Sequence, residues 1–248
     1  MKTKRNSAVR YVENGIVNIL SKTSGNEKTG MGFITSHFNS EISPIDSRKQ
    51  GIDSETVCKG CVYANGNGCY TNPLFLNSIW KMHTQERYFL AQNASDFTIL
   101  ASKIVKNEYL RFGNFGNPSL LPLETVETLY NSAAISTGYM ADWQTQNIEY
   151  RKYFMASVQS LQALENASDL GYRSFVSIPE NNVESFQEKA KNKGISTVIC
   201  INTRNPMINC KQCGLCDGIA KGRKSNIINP IHGYQTKKAI QAVNSFNV

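Results

Sequence analysis

The seven cysteines of this 248-residue sequence fall into two local groups. Thiolates gathered in this way are ligands for soft metals. Cys58, Cys61 and Cys69 occupy a first cysteine loop, 58–70, with the spacing C-x2-C-x7-C. Cys200, Cys210, Cys213 and Cys216 occupy a second, 200–218, with the spacing C-x9-C-x2-C-x2-C. Two residues between thiolates let both reach one centre from a turn. Asn65, Gly66 and Gly68 let the first loop curl back, and Gly214 and Gly218 let the second wrap with amide N–H groups toward sulfur. Three thiolates suit a [4Fe-4S] cluster with one iron left open, or zinc with a fourth ligand such as His37 or His83. The second group suits another cluster or tetrahedral zinc, and spacing does not separate the metals. Isolated buried thiols are the bland alternative, set against by all seven cysteines falling into two groups. Disulfides are set against by the reducing compartment expected below.

The elements that position these loops follow from periodicity. Residues 7–21 carry a partly helical apolar pattern, interrupted by Asn14 and Gly15. A short strand is expected over 31–38, followed by an irregular Gly/Ser/Asp-rich stretch that delivers the chain to Cys58. Residues 73–105 read as helical, with Pro73 in a first turn and Trp80 and Phe89 as core residues. Strands are expected at 109–115, 134–140, 152–158, 172–178, 196–202 and 226–231, with helices at 122–133, 159–168 and 180–193. This alternation predicts a single α/β domain over 1–248. Its parallel sheet with crossover helices would form an open or incomplete (β/α) barrel, or else a doubly wound sheet. Chemistry then belongs at the carboxyl ends of the strands. The polar residues there are Asn114, Asn117, Asp142, Gln144, Ser157, Gln159, Glu180 and His232, although strand ends need turn and cap residues in any case.

Lys and Arg exceed Asp and Glu by 27 to 19, a net charge of +8. That permits attraction to phosphate backbones without demonstrating it. No run approaches roughly 18 apolar residues, so no membrane span is expected. No hydrophobic run follows the charged start before Asn14, so a signal peptide is not expected either, and the predicted location is cytoplasmic.

In its order of motifs the sequence resembles an uncharacterised radical-SAM-like protein family encoded by phages, plasmids and other mobile elements. The pieces are GNEKTG (25–30), CKGCVYANGNGCY (58–70), LRFGNFGNPSLLP (110–122), STGYMADWQ (136–144), YFMASVQS (153–160), ASDLGYRSFVS (167–177), CKQCGLCDG (210–218) and IHG (231–233). The resemblance implies a [4Fe-4S] cluster on Cys58, Cys61 and Cys69 whose open iron binds S-adenosylmethionine. The usual radical-SAM spacing is C-x3-C-x2-C, which this chain does not share, and Asn117 stands where the family usually shows an Asp in G-D-P. The cluster loop of standard members follows the first barrel strand, and here only 31–38 is in position to play that part.

Two functions follow. In the first, the chain is an enzyme in which the first cluster reduces S-adenosylmethionine for radical chemistry and the second cluster is auxiliary. Asn117, Asp142 and Ser157 are then the catalytic candidates, and Asn114, Asn117, Gln144 and Ser157 the cofactor contacts. The substrate is a nucleic acid, nucleotide or peptide. In the second, both cysteine groups are structural, and the chain binds nucleic acid or a host protein. Lys211, Lys221, Arg223 and Lys224 would contact phosphates, and Tyr70, Tyr139 and Trp143 are the aromatics able to stack on bases.

Overall fold

The computed structural model describes residues 8–23, 27–233 and 235–246. The helix expected over 7–21 is instead an antiparallel hairpin of β1 (Val9–Glu13) and β2 (Ile16–Thr23), with Ser7 outside the described residues. Asn14 and Gly15 make its turn, both at positive φ (51° and 75°). An Asn-Gly pair between apolar runs is a two-residue hairpin signal, and here it overrides the weak helical periodicity. Val9, Tyr11 and Leu20 enter the main core, while Val17 and Ile19 enter a second one on the other face. Burial on both faces explains why the run is apolar without clean alternation.

β3 (Gly32–Asn39) matches the strand expected at 31–38 and continues antiparallel to β2. The chain then makes α1 (Pro44–Lys49), the first cysteine loop, α2 (Pro73–Thr84), a two-residue β4 (Phe89–Leu90) and α3 (Ala94–Val105). The helical stretch read over 73–105 is therefore two helices. Asn93 caps the second, accepting from the N–H of Asp96 at 2.9 Å. Phe89, expected in the core, is 47% exposed on the edge strand, whereas Trp80 is buried.

From β5 (Tyr109–Phe115) the expected rhythm appears. It runs α4 (Leu123–Ser132), β6 (Ile135–Thr137), β7 (Tyr139–Met140), β8 (Met155–Val158), α5 (Leu161–Asp169), β9 (Ser174–Ile178) and α6 (Val183–Asn192). Then follow β10 (Thr197–Ile199), the short α7 (Ile201–Arg204) and α8 (Cys210–Cys213), β11 (Asn226–Pro230) and α9 (Thr236–Phe246).

The strands form two sheets, ordered β4-β1-β2-β3-β5-β6 and β10-β11-β9-β8-β7. β3, β5 and β6 are mutually parallel, as are all neighbours in the second sheet. Gly138 joins β6 to β7, so one run of chain passes from the first sheet to the second. A Cβ there would meet the Phe154 ring at 2.9 Å and Phe112 at 3.0 Å. The result is an open α/β arrangement with crossover helices, in which β4 and β10 are edges and the antiparallel hairpin extends one side. Among the described residues no helix is long and apolar enough to cross a membrane.

Leu110, Phe112, Met140, Ala156, Val158, Val176, Ile178 and Ile228 point to the helices and belong to the main core. Because strand side chains alternate, Arg111, Gly113, Tyr139, Ser157 and Phe175 share the opposite, inner face, and each keeps some accessible surface. That half-open inner face lies between the two cysteine loops.

Candidate metal centres

The first cysteine loop sits over the carboxyl ends of the parallel strands, in the connection that follows β3. Three contacts hold it there. Asn117, just beyond β5, donates from its side-chain amide to the Lys59 carbonyl at 2.8 Å. The same amide accepts from the N–H of Ala141 at 3.0 Å, tying the loop to the end of β7. Gly60 packs so closely that a Cβ would lie 2.7 Å from the Ala141 carbonyl, and its φ of 73° suits glycine. Tyr63 donates its hydroxyl to Ser177 Oγ, on β9, at 3.0 Å. From the far side α9 covers the loop, with Ala239, Val243 and Ile240 packed on Val62 and Tyr63.

Cys58, Cys61 and Cys69 lie within electrostatic range of one another. Burial, then mutual repulsion, pushes Cys58 well up, and Cys61 is pushed up to about 12. Backbone N–H groups bond to these sulfurs, from Gly116 to Cys58 and from Tyr63 and Ala64 to Cys61. Amide donors at sulfur favour thiolate, while burial and crowding oppose it; a bound cation would reverse that balance. The histidines considered as fourth ligands are committed elsewhere. His37 is buried with Nδ1 2.6 Å from Asn18 Oδ1, and His83 Nδ1 lies 3.0 Å from Arg10 Nη1. Burial lowers His37 to about 3 and His83 to about 4, so both are neutral imidazoles at pH 7.

The second loop starts from the carboxyl end of β10 at Cys200, and its 215–218 part lies against the amino ends of β7, β8 and β9. Gly138 donates its N–H to the Cys216 carbonyl at 2.8 Å, and Gly218 donates to Tyr153, ahead of β8, at 3.0 Å. Arg173, ahead of β9, is the anchor. Its guanidinium reaches the carbonyls of Asp217 (2.6 Å), Leu215 (3.0 Å), Gly218 (3.3 Å) and Ser225 (2.8 Å), and the Asp217 carboxylate at 3.0 Å. The Asp217 side chain is fully buried, so this ion pair is dry on one side. α8 is a single turn closed by a capping box between Asn209 and Gln212, and Gly214 ends it at φ 58°. Cys200, after β10, packs with Met155, Ile227 and Cys216. Burial raises Cys210, against the nearby Arg111 guanidinium, and burial with the neighbouring thiols raises Cys216; both lie within electrostatic range of Cys200 and Cys213.

The thiols are thus grouped three and four. No cluster of three or more His, Cys, Asp or Glu side chains among the described residues is already drawn together into a metal-holding geometry. The donor set fits a thiophilic metal in kind, and none of the seven cysteines is in a disulfide.

The remaining predicted site residues are placed as follows. Asn117 is buried and serves as the strut described above. Asp142 is buried, accepts from Ser119 Oγ at 2.7 Å, and leaves Oδ1 without a partner. Asn114 is buried facing β3, its carbonyl accepting from Thr71 at 3.0 Å. Ser157 is half-buried on the inner face, accepting from Gln159 at 3.2 Å, and Gln144 is exposed on the turn after β7. Trp143 is core, donating to the Ser157 carbonyl at 3.3 Å. Of the basic residues near the second loop, Arg223 is drawn inward to the Gly214 carbonyl (2.6 Å), and Lys221 lies over the Tyr130 ring at 5.2 Å.

Sequence reasoning did not assign roles to Arg173, Tyr63, Arg111 or Lys28, although each stands in one of the quoted motifs. Two surface clefts, about 670 and 680 Å³, lie away from the inner face. One runs along α6 and β10 near Lys191 and Thr197, and the other lies between Arg48, Gly66 and the start of α9.

Compared with known proteins, the chain matches no family model, and no curated protein or solved structure resembles it at a significant level.

Proposed function

We propose that the chain is a radical-SAM-like iron–sulfur enzyme. Cys58, Cys61 and Cys69 hold a [4Fe-4S] cluster with one iron open to S-adenosylmethionine, and Cys200, Cys210, Cys213 and Cys216 hold an auxiliary centre. One observation carries this reading: a three-thiol group, with no histidine turned to it, stands over the carboxyl ends of the parallel strands, in the connection that follows β3 and α1. A closed structural zinc site prefers four protein ligands, whereas three leave a coordination position for a small molecule. When bound, the cluster and S-adenosylmethionine supply a carbon radical able to abstract hydrogen. The protein's own part is to hold and shield. Asn117 and Gly60 fix the loop against β7, Tyr63 fixes it against β9, and α9 covers its outer side.

The test is reductive cleavage of S-adenosylmethionine by the anaerobically reconstituted chain. Production of 5′-deoxyadenosine by the wild type and its loss in Cys61→Ala are expected. Equal traces from both would overturn the reading. Of the basic residues on which the nucleic-acid-binding alternative rests, Arg223 is committed inward, while Lys211, Lys221 and Lys224 are exposed.

A further inference from the structure

Two of the motifs without an assigned role, GNEKTG and IHG, meet in space. Lys28 donates to Asn229 Oδ1 at 2.7 Å and lies 2.9 Å from His232 Nε2, bridging residues some 200 positions apart. The backbone of the same residue supports the second cysteine loop, since the Lys28 carbonyl accepts from the N–H of Cys210 at 2.7 Å. A second cation faces it from β5. Arg111 uses one nitrogen, Nη2, for both the Tyr70 hydroxyl and the Tyr139 hydroxyl (2.9 Å to the latter). Both rings flank the guanidinium, with centroids at 5.2 and 5.9 Å. Tyr139 in turn stacks on Phe175 at 4.2 Å, so the arginine is held in place by aromatic packing from the inner face.

Neither cation has a carboxylate partner among the described residues. The ionisable groups that Lys28 feels are Cys200, Cys210, Cys216 and Arg111 itself. Asp217, the buried acid of the second loop, is already taken by Arg173 and Arg223. The two cations lie within electrostatic range of each other and share only the Cys210 thiol as a neighbouring acid, so a further anion between them would be favourable. Donors remain for one: the third N–H of the Lys28 ammonium, and Nε and Nη1 of Arg111, which have no partner among the described residues and keep accessible surface. A fixed guanidinium fork with a nearby ammonium is suited to a planar or tetrahedral oxyanion.

We propose that Lys28 and Arg111 form an oxyanion site on the inner face, between the two cysteine groups, that seats a carboxylate or phosphate group of the substrate. In assigning the anion to a substrate, this rests on the enzyme reading; the site itself does not.

The test is calorimetric titration of inorganic phosphate, and separately of acetate, into the metal-loaded full-length chain. Saturable millimolar binding of one of the two is expected, and which one binds identifies the group. Arg111→Gln and Lys28→Met should each weaken it at least tenfold. Arg111→Lys, which keeps the charge but loses the fork, should fall between the wild type and Arg111→Gln, and so separates the charge from the fork geometry. Absence of saturable binding of both anions to the wild type would overturn the proposal, as would unchanged affinity in the variants. So would loss of metal from the second group with anion affinity intact, since the cations would then serve the thiolates. Phosphate or acetate binding in a chain that takes up no iron would keep the site and sink the enzyme.

Discussion

At the scale of single residues, two polar side chains near the first loop have roles that their sequence positions alone did not define. Asn117 uses both ends of its amide, on Lys59 and on Ala141. Asn117→Ala leaves two backbone groups unsatisfied where little water reaches. It should cost about 1–3 kcal/mol in urea denaturation. Loss of metal from the first group is expected with it, while the second group keeps its own. Asp142 is a buried carboxylate whose pKa burial raises above 3.8, only partly offset by Ser119. For an acid shifted up, the stability contribution is present below 3.8 and is lost as pH rises through the folded value. Asp142→Asn should therefore match the wild type near pH 3.8 and exceed it at pH 7, a divergence readable in urea midpoints across that range.

At the scale of elements, both cysteine loops depend on a neighbour remote in sequence. Gly68 has φ 92°, and a Cβ there would stand 2.4 Å from Ala239 Cα. Gly68→Ala should push α9 off the first loop at a cost of about 1–3 kcal/mol, seen as faster amide exchange in 236–246. Arg173→Met removes the anchor of the second loop and leaves Asp217 buried with a longer ion pair to Arg223, 3.7 Å away, and the Tyr130 hydroxyl at 3.3 Å. A loss of about 3–5 kcal/mol in chemical denaturation is expected. Elements were legible where pattern and punctuation agreed. β5 was read at its observed bounds, and β9, α4 and α6 within two or three residues, because alternation or helical spacing was bounded by turn residues. The hairpin was missed because its two-sided burial hid the period of two, and Asn14-Gly15 was read as an interruption of a helix. The strut from Asn117, the anchor from Arg173 and the contact of Lys28 with His232 were not legible, because tertiary packing alone brings those pairs together.

At the scale of the molecule, the two cysteine loops lie in different parts of an open arrangement of two sheets. Between them lies an inner face carrying Arg111, Tyr139, Ser157 and Phe175. Burial and the neighbouring thiols hold Cys58 and Cys216 protonated in the fold without metal, because each thiolate would repel the next. Metal binding would convert that repulsion into stability, so chelation of the loaded protein should lower its Tm. The most direct test of the account is the iron, zinc and acid-labile sulfide content per chain after anaerobic purification, for the wild type and for Cys61→Ala. About eight iron and eight sulfide in the wild type, falling to about four of each in the variant, are predicted. About two zinc without sulfide in the wild type would contradict it.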